Sequence, residues 1–119
     1  TVIAIVDDDE SVRHATKRLV RLLGMEADTF ASGDEFIEFI DATPSNRFDC
    51  LILDLQTRGL NGLEVQERLK KRDYQPPIIF VTACAEAKIR ERALKGGAIA
   101  FLQKPFAAEM LIKSLRAAL

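Results

Sequence analysis

The stretch CLILD, residues 50–54, is an apolar run of four residues, 50–53, followed by the carboxylate of Asp54. A continuous apolar run of this length predicts a β-strand buried on both faces, as in a parallel sheet. Comparable runs lie at residues 2–6, 78–81 and, more weakly, 98–102. Residues 25–30 carry Glu26 and Asp28 among apolar neighbours and suit an edge strand. The sequence therefore predicts five strands.

A segment with the apolar spacing of a helix follows each predicted strand. This strict alternation predicts an α/β fold of the (βα)5 type: a doubly wound, five-stranded parallel sheet in a three-layer sandwich. The fourth helix, residues 86–95, has the poorest apolar face, formed by Ile89, Ala93 and Leu94. We expect it to be the most loosely held of the five.

Length and charge limit the classes of function. With 119 residues the chain fits one domain, residues 1–119, which is also compatible with a piece of a longer protein. A net charge of −1 gives no field for nucleic acid or an anionic membrane, so DNA binding is expected only through another domain. No apolar run approaches the ~18 residues of a membrane span. Cys50 and Cys84 form no CxxC motif, which favours a reduced, cytoplasmic protein.

Polar residues stand at the carboxyl ends of four predicted strands: Asp7 and Asp8, Asp54, Thr82, and Lys104 just beyond the last. Because parallel strands end at one edge of a sheet, we expect these side chains to converge. Three carboxylates brought together repel one another unless a cation compensates them. Oxygen ligands without nearby His or Cys favour Mg²⁺ over zinc or copper.

Two polar residues near the strand ends have a simpler interpretation. Asp9 precedes the first helix and is expected to be its N-cap, and His14 lies on a polar helical face and is expected at the surface.

A strand-end carboxylate such as Asp54 can act as a nucleophile and form an aspartyl phosphate. Lys104 can then pair with a carboxylate at rest and with a phosphoryl oxygen after transfer.

Four motifs together resemble the receiver domain of bacterial two-component response regulators, in the CheY-like superfamily: IVDDDE at 5–10, LILDL at 51–55, FVTA at 80–83 and GAIAFLQKPF at 97–106. The resemblance implies a flavodoxin-like strand order of 2-1-3-4-5. It also implies a Mg²⁺-dependent phosphoryl transfer from a sensor histidine kinase, with self-phosphorylation and autodephosphorylation. The likeness is greatest to regulators with a C-terminal helix-turn-helix output domain, so a role in transcription is expected.

The resemblance assigns the acceptor and the metal ligands. Asp54 matches the phosphoacceptor, and Asp8 matches the acid that ligates Mg²⁺ directly. Asp7 matches the acid that reaches the ion through water, and Gln56 matches the position whose backbone carbonyl completes the shell.

The resemblance also assigns a switch. Thr82 matches the hydroxyl that moves toward the phosphoryl group, Phe101 the aromatic switch position, and Lys104 the characteristic lysine. The bond before Pro105 matches a cis peptide. The face made by the fourth helix, fifth strand and fifth helix is the expected output surface, and a homodimer through it is a further expectation.

The chain departs from the family pattern after the acceptor, where Thr57 and Arg58 replace the common Met and Pro. This predicts a more polar and less rigid loop over the site. Gln56 and Cys84 occupy positions that, in the family, tune how long the phosphoryl group stays on the acceptor. The resemblance therefore implies no particular lifetime for the phosphoryl group on Asp54.

Two other classes of protein share part of this pattern. A haloacid-dehalogenase-like phosphatase also starts from a strand-end Asp, but it needs an acid two residues later, where this chain has Gln56. A degenerate receiver would bind partners without phosphorylation, but such domains usually lack an acidic residue or the lysine.

Overall fold

The computed structural model describes residues 1–45, 48–57, 59–72, 74–83 and 86–119. Within these ranges, five strands alternate with five helices. The strands are β1 (Val2–Val6), β2 (Glu26–Phe30), β3 (Cys50–Asp54), β4 (Ile78–Thr82) and β5 (Ala100–Gln103). The helices are α1 (Glu10–Leu22), α2 (Gly33–Ala42), α3 (Gly62–Lys70), α4 (Ala87–Lys95) and α5 (Ala108–Ala118). In the described part of the chain, no helix has the length and apolar character needed to cross a membrane.

The strands form one parallel sheet in the order β2-β1-β3-β4-β5, as the resemblance implied. The strand with acidic residues, β2, lies at an edge, as predicted. The chain moves outward from β1 to β2 and then returns past β1 to β3, so β1 and β3 are neighbours at which the winding direction reverses. A crevice forms beyond the strand ends at such a point.

Alternating side chains of the central strands enter two separate cores, one on each face of the sheet. One core contains Val6 and Leu53 and is covered by α2, α3 and α4. The other contains Ile5 and Ile52 and is covered by α1 and α5. The predicted three-layer sandwich is confirmed.

Two strands extend one residue beyond the apolar runs, so that Asp54 and Thr82 are the last residues of β3 and β4. The prediction for the fifth strand was wrong at its start, because β5 begins at Ala100 instead of at residue 98. The Ala98 amide donates to the Ala93 carbonyl at 3.1 Å and therefore closes the end of α4.

Among the described residues, α4 buries a single residue, Ala93, fewer than any other helix. Its carboxyl end is attached to α3, because the buried Gln66 side chain donates from Nε2 to the Ala93 carbonyl at 3.0 Å. Gly96 makes room for this amide, since a Cβ there would lie 2.7 Å from Gln66 Cδ. At the other end of α4, the N-cap residue Glu86 makes no side-chain cap hydrogen bond. The weak apolar face predicted for this helix is confirmed.

Candidate functional site

Three carboxylates meet at the carboxyl edge of the sheet. Asp7 and Asp8 follow β1, and Asp54 ends the neighbouring β3. Val6 pairs with Leu53, so the next residue of each strand reaches the same level. One ligand atom of each carboxylate lies within 4.8 Å of the others, as the predicted convergence requires.

Lys104 connects two of these carboxylates. Its Nζ donates to Asp7 Oδ2 at 2.7 Å and to Asp54 Oδ2 at 3.2 Å. The exposed fractions of the three side chains are 19% for Lys104, 2% for Asp7 and 7% for Asp54. The peptide bond from Lys104 to Pro105 is cis, as the resemblance implied. The ammonium therefore offsets the negative charge of two buried acids, in the resting position that the sequence predicts for Lys104.

Burial raises the pKa of Asp54 above its ordinary value, and the charge of Asp7 adds to the rise. The hydrogen bond from the Gln56 backbone amide and the positive charge of Lys104 lower this pKa, but they do not cancel the rise. Burial works to lower the pKa of Lys104, but its hydrogen bond to Asp7 and the charge of Asp54 outweigh burial, so the pKa is raised. Lys104 is consequently charged at neutral pH.

The loop that carries the acids is attached to its surroundings at several points. The Asp7 amide donates to the Phe30 carbonyl at 3.1 Å, and Asp7 Oδ1 accepts the Asp9 amide at 2.9 Å. The Asp9 carboxylate accepts the amides of Ser11 and Val12, which confirms its predicted role as the N-cap of α1. The Asp9 carboxylate is therefore occupied with the helix end.

Thr82 is fully buried, and its carbonyl accepts the Lys104 amide at 2.7 Å. It follows Phe80 by two residues, so the two side chains lie on the same face of the sheet. Phe80 pairs with Phe101 on β5, and their ring centroids are 6.3 Å apart. Phe101 is half-buried. Both predicted switch residues thus lie along one face, with Phe80 between them.

The loop after β3 is polar and attached to α2. The Gln56 backbone amide donates to Asp54 Oδ1 at 3.0 Å, and Thr57 Oγ1 donates to the Leu60 carbonyl at 2.6 Å. Gly59 has a φ of +72°, and a Cβ there would lie 1.8 Å from Asp34 Oδ2, so this position needs glycine. Arg58 and Cys84 lie outside the described residues.

The donor set fits a hard divalent cation. Within the described residues, three carboxylates gather at the strand ends and the Lys104 ammonium pairs with two of them, which leaves the Asp8 carboxylate outside these ion pairs. Asp8 is exposed, so the group is open to solvent on that side. Oxygen ligands of this kind, few in number and accessible to water, are those that Mg²⁺ prefers.

Sequence reasoning missed Arg13. Its guanidinium donates from Nη1 to the Asp7 carbonyl at 2.8 Å. The sequence signal is a base four residues into the helix that follows the acids, beside His14 on its polar face. His14 itself is exposed, and its Nε2 lies 4.0 Å from Glu10, so its predicted surface position is confirmed.

Comparison with known proteins agrees with the geometry. The family described as "Response regulator receiver domain" matches residues 3–116. The response regulator protein TodT of Pseudomonas putida is 38% identical over 119 residues, which are 100% of this chain and 51% of TodT. The transcriptional regulatory protein TdiR of Thauera aromatica is 34% identical over 119 residues, 100% of this chain and 51% of TdiR. The chain thus spans about half the length of these curated relatives.

Among solved structures, a response regulator receiver protein from Burkholderia phymatum superposes with a TM-score of 0.85. It is 49% identical and covers 98% of this chain and 93% of the other. The chain therefore belongs to the response regulator receiver domain family, a signalling domain of two-component systems.

Proposed function

We propose that Asp54 accepts a phosphoryl group from a sensor histidine kinase. The observation that carries this proposal is the shared ion pair: the Asp54 carboxylate lies 3.2 Å from a lysine ammonium, beside two further acids at the end of a central strand. The position gives a carboxylate nucleophile, a cation for the incoming charge and ligands for a metal within one small site.

In the proposed step, one Asp54 oxygen forms a bond to phosphorus while the bond from phosphorus to the donor imidazole nitrogen breaks. The electron pair of that bond stays on the imidazole. Lys104 holds positive charge beside the acceptor and can shift a hydrogen bond from a carboxylate to a phosphoryl oxygen. Attack of water on phosphorus would later return Asp54 to its carboxylate form. An acyl phosphate could replace the kinase as the donor in self-phosphorylation.

The residues that would hold Mg²⁺ are Asp7, Asp8 and Asp54, together with the Gln56 backbone carbonyl. The three side chains are brought together as a metal site requires. A bound Mg²⁺ supplies positive charge that neutralises the transferring phosphoryl group.

We further propose that Thr82 and Phe101 pass the change to the face formed by α4, β5 and α5. Large apolar side chains are exposed on this part of the chain: Leu94, Ile99 and Met110. Such residues suit contacts with a second copy or with an output domain. TdiR is named a transcriptional regulatory protein, and we extend that role to the protein from which this domain comes. DNA would then be bound by the output domain.

Neither alternative function gains support. A dehalogenase-like phosphatase would need an acid two residues after Asp54, where this chain has Gln56. A degenerate receiver would lack part of the site, whereas Asp7, Asp8, Asp54 and Lys104 lie together here.

The test is intact-mass spectrometry of the chain after incubation with acetyl phosphate and MgCl₂. One added phosphoryl group is expected, and peptide mapping should place it on Asp54. Asp54→Asn should abolish it, whereas Asp28→Asn, which changes an exposed acid of β2, should leave it intact. Phosphorylation of Asp54→Asn equal to the parent would refute the assignment, and continuous turnover of phosphate esters would favour the phosphatase.

A further inference from the structure

Arg13 is joined twice to the loop that carries the acidic residues. Its backbone amide donates to the Asp9 carbonyl at 2.9 Å, as the first hydrogen bond of α1. Its side chain reaches back past this point, and Nη1 donates to the Asp7 carbonyl at 2.8 Å. The residue is half-buried. Arg13 thus holds the start of the loop through two hydrogen bonds, one from its backbone amide and one from its guanidinium.

The carbonyl that Arg13 binds belongs to the peptide unit between Asp7 and Asp8. Because a peptide unit is planar, fixing its oxygen fixes the whole plane, including the direction in which the chain leaves toward the Asp8 Cβ. The Asp7 carboxylate is held without Arg13, because it accepts hydrogen bonds from the Asp9 amide and from Lys104 Nζ. Asp8 is exposed, and within the described part of the chain no hydrogen-bond partner of its carboxylate is found. The placement of that carboxylate therefore depends on the backbone.

We propose that Arg13 is a positioning residue of the metal site, which acts through the Asp7 carbonyl to hold the Asp8 carboxylate beside Asp7 and Asp54. The inference rests on the proposed function, because it assumes that the site binds a divalent cation. Partners that orient the ligands of a metal commonly affect its affinity strongly.

The charge of Arg13 acts in the opposite direction, since a guanidinium near the site repels a cation. The geometry favours the positioning effect for two reasons. The guanidinium donates to a neutral carbonyl, so the contact fixes the direction of that peptide unit. The side chain is also half-exposed, so water and salt screen its charge. The two effects predict opposite changes in Mg²⁺ affinity when the side chain is removed.

The experiment is calorimetric titration of the 119-residue chain with MgCl₂. Arg13→Ala is expected to bind Mg²⁺ about tenfold more weakly than the parent, the lower end of the effect of losing a partner that orients a ligand. Arg13→Lys, which can still donate to the carbonyl, should stay close to the parent. Arg18→Ala is the matched control, since it removes an exposed base from the same helix with the same change of charge. Unchanged or tighter binding in Arg13→Ala would overturn the proposal.

A second measurement does not depend on the metal. Exchange of the Asp9 amide, which donates to Asp7 Oδ1 at 2.9 Å, should be faster in metal-free Arg13→Ala, with exchange in β4 unchanged. Equal protection of this amide in variant and parent would also overturn the proposal. If the alanine variant does not fold, Arg13→Gln gives the same test, because its side chain is shorter. If the parent neither binds Mg²⁺ nor accepts a phosphoryl group, the proposed function is refuted. If the parent does both and Arg13→Ala binds Mg²⁺ as the parent does, only the role of Arg13 is refuted.

Discussion

Replacing Lys104 by Met should destabilise the metal-free protein strongly. Methionine keeps an unbranched chain of the length of the lysine stem and the backbone bond to Thr82. It leaves the buried carboxylates of Asp7 and Asp54 without their shared ammonium. Removing one partner of a buried ion pair costs about 3–5 kcal/mol, and we take the value of about 3 kcal/mol because the site is open beside Asp8. For a domain of this size, a loss of about 3 kcal/mol lowers the melting temperature by roughly 10 °C.

The loss should shrink in acid. Lys104 acts to lower the pKa of Asp54, so the pKa of this carboxyl, already above its ordinary value of 3.8, rises further without the lysine. A carboxyl with a raised pKa in the folded state binds its proton more tightly there than in the unfolded chain. Its protonation therefore stabilises the variant as pH falls through the folded-state pKa. MgCl₂ should also reduce the difference, because it replaces the missing positive charge.

The assay is thermal unfolding followed by far-ultraviolet circular dichroism, at neutral pH with EDTA, at mildly acidic pH, and with MgCl₂. Lys113→Met is the control, since it removes an exposed lysine from α5. A loss in Lys104→Met no larger than in Lys113→Met would refute the reasoning. So would a difference from the parent that neither acid nor MgCl₂ reduces.

Two further predictions concern the metal and the switch. Asp8→Asn should weaken Mg²⁺ binding in calorimetry, whereas Asp9→Asn should not, because Asn also caps a helix well; equal losses would contradict the assignment. Thr82→Ala should still be phosphorylated on Asp54, but phosphorylation should then change amide exchange little over residues 86–101. The alanine variant lacks the hydrogen bond from the Thr82 hydroxyl to a phosphoryl oxygen. A bond of this kind contributes about 1.5–3 kcal/mol, which corresponds to a roughly ten- to hundredfold shift toward the switched state. Thr82→Ser should behave like the parent, and exchange changes in the alanine variant as large as in the parent would argue against the relay.

The convergence of Asp7, Asp8, Asp54 and Lys104 could be predicted from the sequence because it depends on two local facts and one rule. Each residue follows or ends an apolar run, and parallel strands bring such ends to the same edge. The Asp9 cap was equally accessible, since a capping residue acts on amides two and three positions away.

Contacts between distant or long side chains could not be predicted in this way. The sequence predicts that Lys104 pairs with a carboxylate at rest, but not that its ammonium is shared by Asp7 and Asp54, residues 97 and 50 positions away. The reach of Arg13 back to a carbonyl depends on its rotamer, which the pattern of the helix does not specify. The same holds for Gln66, a polar residue whose burial makes sense only once α4 is in place.

The attachment of α4 by Gln66 has a mechanical consequence. The helix is pinned at its carboxyl end, where the Gln66 amide binds the Ala93 carbonyl and fits against Gly96. Its amino end, which begins after Glu86 without a side-chain cap, is the end nearer in sequence to Thr82. A push delivered there would swing the helix about a fixed pivot instead of sliding it along the sheet. Exposed residues would then move through an arc that grows with distance from Ala93, so α4 would act as a lever and enlarge a small displacement at the site.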